Sequence, residues 1–386
     1  MKKYRIDEIT INLDNKRKPL NNKERKAISK FKLYPYYGAN NIVDYVDEYI
    51  FDEEILCVAE DGGSWGYNEE CAYIVNQKCW VNNHAHVLKA KNNLNIRYLS
   101  YYLNFKNLSN VITGTTRGKL TKSALNSIEI LLPELNKQDK IVEILEKSKE
   151  LMDKRKEQIE ALDELVKSKF IEMFGDSINN PMGWQVKKLK DISTKILSGN
   201  TPKGGSEVYV DKGVMFFRSQ NVWKNKLILD DIAYIDEDTH NKMLKSSLKY
   251  RDILMTKTGR INTENSSLGR AAMYLGEDDK ANINGHVYLI RLKEEILNEF
   301  ILFILTSKEY RGYIRSVCVG GIDKRQLNKE HIEDFPIIFP PIEQQKEFVT
   351  YVKQVDKLKF EMEKSLKELE DSFNSLMQRA FNGELF

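Results

Sequence analysis

Apolar residues recur at alternating steps of four and three through two long stretches of the chain, and these stretches organise the rest. In the later one the steps land on Phe348, Val352, Val355, Lys359, Met362, Leu366, Leu369, Phe373, Leu376 and Ala380, all apolar but Lys359. In the earlier one they land on Ile141, Leu145, Ser148, Met152, Arg155, Ile159, Leu162, Val166, Lys169 and Met173, of which seven are apolar. A seam of this period, sustained this long, predicts coiled-coil helices. Each follows a proline (Pro133; Pro340-Pro341), which suits a helix start. Each ends at glycine (Gly175; Asn382-Gly383), which suits a left-handed cap. A helix of this length spans roughly 58 Å.

The two stretches are copies. Displaced by 207 residues, Pro133 falls on Pro340, Gln138 on Gln345, Val142 on Val349, Leu162 on Leu369 and Phe174 on Phe381. Upstream, Gly114 falls on Gly321, Leu120 on Leu327, Lys122 on Lys329 and Ile130 on Ile337. A long-period repeat sets the architecture. Two identical seams favour helices paired with each other over two unrelated amphipathic helices, each packed on its own domain.

The segments around the helices read as short strands and turns. Residues 1–132 contain Tyr36 to Asn41, Tyr49-Ile50-Phe51 and Ile55 to Ala59, then a helix with Tyr98, Leu99, Tyr102 and Leu103 on one face. Residues 184–339 contain Met215 to Arg218 and Ile253 to Met255, then a helix near Phe300 to Leu305. The two segments match weakly, with gaps: Ile6-Asp7-Glu8-Ile9 with Leu189-Lys190-Asp191-Ile192, Ile55 with Ile253, His84 with His286, Tyr98 with Phe300. The expected order is a first globular domain (1–132), a helix (133–176), a linker (177–183), a second globular domain (184–339) and a second helix (340–386). The fold class is α/β. The helices run antiparallel and put the domains at opposite ends about a pseudo-two-fold.

Charge changes this picture little. The whole chain carries +3. The first helix (137–169) is neutral and the second (343–371) carries −2, which leaves +5 elsewhere. That mild bias permits nucleic-acid binding without requiring it. Cys57, Cys71, Cys79 and Cys318 show no CxxC spacing, which points to reduced thiols in a cytoplasmic protein. No apolar run follows Met1-Lys2-Lys3, so no signal peptide is expected, and the run Phe300 to Leu305 is too short to span a membrane.

The doubled order of motifs resembles the DNA-specificity subunit of type I restriction–modification systems. The residues that carry the likeness are Tyr36 to Asn40, Glu60-Asp61-Gly62, Phe217 to Asn221, Leu120 to Ser123 with Leu327 to Glu330, and the helix openings Leu132 to Gln138 and Phe339 to Gln345. Asn136-Lys137-Gln138 departs from the usual Glu-Gln-Gln-like form. The resemblance implies two target-recognition domains, each reading half of a split double-stranded DNA site, with the helices spacing them and docking two methyltransferase subunits. It implies that S-adenosylmethionine, and the ATP and Mg used by restriction subunits, bind to partners, and that this chain binds no cofactor and catalyses no step. The rival classes are a hairpin scaffold whose end domains bind proteins, and a nuclease with an unfamiliar site.

The motifs themselves favour no catalysis. Gly114 to Leu120 is one residue short of a phosphate loop and has Leu120 where a Mg-binding hydroxyl is needed. An adenine methyltransferase needs Asp/Asn-Pro-Pro-aromatic, whereas Pro340-Pro341 opens a helix. His84-Ala85-His86 puts two imidazoles on one strand face, but only His286 recurs, so structural histidines are expected and no metal site. Glu277-Asp278-Asp279-Lys280 reads as a solvated turn. Base readout needs Arg or Lys for guanine and Asn or Gln for adenine, held on loops. The candidates are Asn40, Asn41, Trp65, Thr115, Thr116, Arg117 and Lys119 in the first domain. In the second they are Arg218, Gln220, Asn221, Lys257, Arg260, Arg270, Lys324 and Arg325. Tyr36 and Tyr37 are expected in the core.

Overall fold

A computed structural model describes all residues except 1, 115, 262, 264, 322, 323 and 386. The two long helices run Leu135–Phe174 and Ile342–Asn382. Gly175 (φ 73°) and Gly383 (φ 81°) end them in the left-handed conformation that glycine adopts without penalty. On their solvent faces, pairs such as Glu143–Lys147 and Glu150–Lys154 support the helix at i,i+4 spacing.

The chain divides into two compact units, Met1–Ile159 with Glu361–Phe386, and Glu160–Phe360. Each unit therefore holds one globular domain, part of its own long helix and part of the other, a division that the linear order of five segments does not express. Inside each unit the helices pair antiparallel. In the first, Lys156 approaches Glu370, and Ile141, Val142 and Leu145 share a core with Met377, Ala380 and Phe381. In the second, the Lys359 ammonium donates to both Asp163 carboxylate oxygens (2.6 and 2.8 Å), and Phe170 meets Phe348 at 5.3 Å between ring centroids. Ile141, Leu145, Leu162, Val166, Phe348 and Val355 are buried, and Met152, Ile159, Met173, Val352, Met362, Leu366, Leu369, Phe373 and Leu376 half-buried. The polar seam position Lys359 is accommodated by that ion pair.

The end of each long helix plugs into a globular domain. Phe381, fully buried, packs against Tyr98, Tyr102 and Phe105, and Phe174, also fully buried, packs against Phe300, Phe348 and Trp184. Burying one such ring contributes about 2–3 kcal/mol. The start of each helix is fixed by a glutamine. Gln138 donates through Nε2 to the Pro133 and Asn93 carbonyls and accepts from the Asn95 N–H. Gln345 donates to the Pro340 carbonyl at 2.8 Å, while its Oε1 is buried without a partner.

The globular domains share one topology. The first has a four-stranded antiparallel sheet in the order Thr10–Asn12, Ala85–Ala90, Ile55–Ala59, Ala72–Val75. The second repeats it as Ser193–Ser198, Val287–Leu292, Ile253–Thr256, Ala271–Met273. Each has a second, three-stranded sheet with one parallel pairing, Tyr34–Gly38 with Trp80–Val81, and Val214–Phe217 with Ala281–Ile283. The buried run Ile55–Ala59 fits a central strand covered on both faces. Tyr36 and Tyr37 are buried as expected. Tyr49-Ile50-Phe51 makes only an isolated bridge, Phe51 to Cys79.

Candidate nucleic-acid interface

In each domain the central strand ends beside a hairpin, and the charged candidates other than Arg218 gather there. In the first, Thr113 and Lys119 pair across the hairpin, whose base also meets Asp61. Arg117 (62% exposed) lies 2.7 Å from the Asp61 carboxylate, and Lys119 lies 3.1 Å from Glu60. Asn40 donates to the Gly62 carbonyl, which ties the neighbouring hairpin tip to this loop. Asn41 (φ 99°) sits at that tip and Thr116 is exposed; Thr115 lies outside the described residues.

Behind this surface is a buried charge network. Arg17 donates to Glu60 (2.6 Å) and lies 3.4 Å from Asp14, and His86, 1% exposed, contacts Asp14 at 2.7 Å. Burial raises the Asp14 and Glu60 pKa values, but hydrogen bonds reverse the sign: His86 and the Val87 N–H hold Asp14 below its ordinary range, and Arg17 and Lys119 do the same for Glu60. His84 faces Asp61 at 2.8 Å. The fold thus supplies the carboxylates that spacing did not reveal, and both histidines hydrogen-bond to them through Nδ1.

In the second domain the strand end carries Lys257, with its ammonium 5.8 Å from the Tyr288 ring centre. The adjoining hairpin is a three-stranded ribbon of Thr258–Gly259, Arg325–Gln326 and Val319–Gly320. Thr258, Arg260, Ser266, Arg270 and Lys324 line a depression of about 630 Å³. Arg260 and Lys324 are exposed, and no described carboxylate pairs with either; Glu264 and Asp323 of the same segments lie outside the described residues. Arg325 is half-buried and donates to the Cys318 carbonyl. Burial, then the charge of Arg311, pushes the Arg270 pKa down, and Arg311 is lowered in turn by burial and Arg315. These two arginines lie on the amphipathic helix Lys308–Val317 and extend the basic surface. The sequence held a signal for that helix, because Phe300 to Gly320 is four residues longer than Tyr98 to Gly114.

Three candidates are corrected. Trp65 (8% exposed) belongs to the core, where a large indole is better buried than left in water. Asn221 (1% exposed) accepts from the Arg218 N–H and donates to the Ile228 and Asp231 carbonyls, so it builds its turn. Arg270 (8% exposed) lies 3.8 Å from the Trp223 ring centre, with Nε on the Ser266 carbonyl and Nη2 on that of Asn265; only an edge lines the depression. Arg218 is half-buried and donates to its own loop at Asp231, whose carboxylate also takes Gln220 at 3.0 Å. The hairpins also correct the gapless offset. Gly114 (φ 96°) corresponds in conformation to Gly320 (φ 121°), not Gly321, since a Cβ on either would meet the Arg117 or Lys324 carbonyl oxygen. The second hairpin is one residue longer, which an alignment without gaps conceals.

Among the described residues no helix is long and apolar enough to cross a membrane. The chain is 27% identical over 363 residues to a Haemophilus influenzae protein named as a type I restriction enzyme specificity subunit, covering 92% of this chain and 87% of that one. It is 24% identical over 376 residues to the MjaVIII specificity subunit of Methanocaldococcus jannaschii, covering 91% and 86%. The crystal structure of the S subunit from M. genitalium superposes with a TM-score of 0.57 at 16% identity, over 98% of this chain and 96% of that one, a likeness of fold. A chain from a solved type I R-M system superposes with a TM-score of 0.59, also at 16% identity, over 100% and 98%. The family model for the type I restriction modification DNA specificity domain matches residues 1–161 and again 181–371, and the chain belongs to that family.

Proposed function

We propose that this chain is the sequence-reading subunit of a type I restriction–modification complex, in which each globular domain recognises one half of a bipartite site on double-stranded DNA. The observation that carries this reading is a repeated frame with exchanged surface chemistry. The strand end is Glu60 in one domain and Lys257 in the other, and the hairpin cation is Arg117 in one and Lys324 in the other. A scaffold for two identical partners has no need of different tips. Two halves of an asymmetric sequence do need them, because each base presents its own donors and acceptors. The reading groups are Asn40, Asn41, Thr116, Arg117 and Lys119, and Gln220, Arg260, Lys324 and Arg325, with Lys257, Arg311 and Arg315 beside them for phosphates.

In this role the chain makes and breaks no bond. It binds no cofactor, and it recruits two methyltransferase subunits that hold S-adenosylmethionine, plus ATP- and Mg-dependent restriction subunits where cleavage accompanies modification. The complex works in the cytoplasm. The test exchanges residues 1–132 for the first domain of another family member and maps methylation genome-wide with the modification subunit present. One half of the methylated motif should change and the other stay; a change in both halves rejects one domain per half-site.

A further inference from the structure

We propose that His86 and Tyr288 are positioning residues for sequence readout. Each hydrogen-bonds the main-chain carbonyl at the foot of its domain's reading hairpin, and so fixes where that hairpin's cations meet the bases. The inference rests on the hairpins being DNA-reading elements, as proposed above.

The two feet are built alike. In the first domain the Glu60 N–H donates to the His84 carbonyl (2.8 Å), the Leu120 N–H to the Glu60 carbonyl (2.8 Å), and His86 Nε2 to the Leu120 carbonyl (2.8 Å). In the second the Lys257 N–H donates to the His286 carbonyl (2.8 Å), the Leu327 N–H to the Lys257 carbonyl (2.9 Å), and the Tyr288 hydroxyl to the Leu327 carbonyl (3.2 Å). Leu120 and Leu327 are wholly buried, and the two donor residues are 1% and 2% exposed. A buried carbonyl costs free energy if left without a donor, so each foot has one low-energy place.

The donors differ in chemistry while the bond they make is the same. A packing role alone would be met by any apolar side chain of the right volume. Here an imidazole and a phenol each bring a hydrogen to the same backbone atom of the frame. Asp14 and the Leu120 carbonyl flank the two nitrogens of His86, and a carbonyl oxygen can only accept, so Nε2 carries a hydrogen. The foot is one residue from Lys119 and three from Arg117 in the first domain, and three from Lys324 in the second. Beyond it, the main chain of the first hairpin is held by the Thr113–Lys119 pair and a 3.4 Å bond from the Gly62 N–H to the Gly118 carbonyl, and its side chains by the Arg117–Asp61 and Lys119–Glu60 ion pairs. Losing the foot bond populates displaced hairpins, and apparent affinity falls with the competent fraction.

The experiment uses the full chain with its modification subunits. Tyr288→Phe removes one oxygen and keeps the ring. For the first domain, His86→Phe is combined with Asp14→Asn, so that no carboxylate is left buried without its partner. Three quantities are measured: amide hydrogen exchange at 113–120 and 319–327, affinity for the intact motif, and the motif methylated across a genome. Tyr288→Phe should speed exchange at 319–327 only, weaken binding roughly three- to tenfold, and admit extra bases in the second half alone. The double variant, read against Asp14→Asn alone so that the lost Asp14 contacts cancel, should speed exchange at 113–120 and admit extra bases in the first half alone. Faster exchange with an unchanged motif overturns the proposal, as does unchanged exchange, or degeneracy spread over both halves. A wild-type complex that methylates no split motif removes the DNA reading itself; that failure is told apart because no variant takes part in it.

Discussion

Arg117 and Arg218 show how far neighbours decide what a cation can do. Arg117 is mostly exposed and, among the described residues, held only by Asp61, a surface pair worth at most about 1 kcal/mol. Arg117→Ala should leave the melting temperature unchanged and weaken DNA binding by about 1–3 kcal/mol, relaxing one base if the arginine pairs with guanine. A uniform loss with a shallower salt slope would make it a phosphate contact, and no loss would remove it from the interface. Arg218 has its guanidinium on Asp231 and its face toward Tyr209. Arg218→Ala should therefore destabilise the second domain by about 1–2 kcal/mol, seen as a lower melting temperature without DNA. The Asp14 network gives the first domain a pH signature. The folded state holds Asp14 below its ordinary pKa, so its contribution is complete above the unfolded pKa and is lost as pH falls through the folded one. Asp14→Asn should cost about 3 kcal/mol at neutral pH. The deficit should shrink in acid, below the ordinary carboxylate range, in urea titrations followed by hydrogen exchange. A deficit independent of pH would show that packing, not charge, holds Asp14.

At the level of elements, the glutamines that open the long helices predict an asymmetry. Gln138→Ala strands two carbonyls and an N–H and should cost about 2–3 kcal/mol, whereas Gln345→Ala frees one carbonyl and should cost about 1. Exchange protection at 135–142 and 342–349 reads each separately; equal losses would reject the clip. Deleting one heptad from both helices should narrow the gap between half-sites by about 10 Å, or roughly three base pairs, and an unchanged methylated gap would show that the helices do not set it. The helices are also where the sequence is most legible. Their periodicity, prolines and glycines are local signals, and every apolar seam position from Ile141 to Leu376 is at least half-buried. The sheet order of the domains was visible only as scattered landmarks, because interior strands of both copies obey the same period with different residues. The proposed reading surface was least legible. Trp65 and Asn221 look like loop residues, and only the packing of distant segments shows that one fills a core and the other ties a turn. Arg311 and Arg315 were not legible because the helix that carries them has no counterpart among the described residues of the first domain.

At the level of the molecule, the repeat bears on what half of it can do. A fragment ending near Gly183 keeps the first domain and first helix but lacks Glu361–Phe386, so the seam at Ile141 and Leu145 and the ring cluster of Tyr98, Tyr102 and Phe105 lose their cover. Apolar surface of this kind seeks an equivalent face, and identical antiparallel helices close with two-fold symmetry. The fragment should dimerise, though more weakly than the tethered halves hold together, and with modification subunits should methylate a symmetric site made of one half and its inverted repeat. Light scattering tests the first step and methylome sequencing the second; a monomer at high concentration counts against the seam. The aromatic plugs make the idea concrete. Phe174 occupies in the first helix the place that Phe381 holds in the second, so Phe174 of one fragment is the natural stopper for the socket emptied in the other. A socket that takes either stopper does not distinguish one half-chain from another. Unequal halves from different genes should then be able to mate, and new DNA specificities could arise by trading halves, with no change to any base-reading residue.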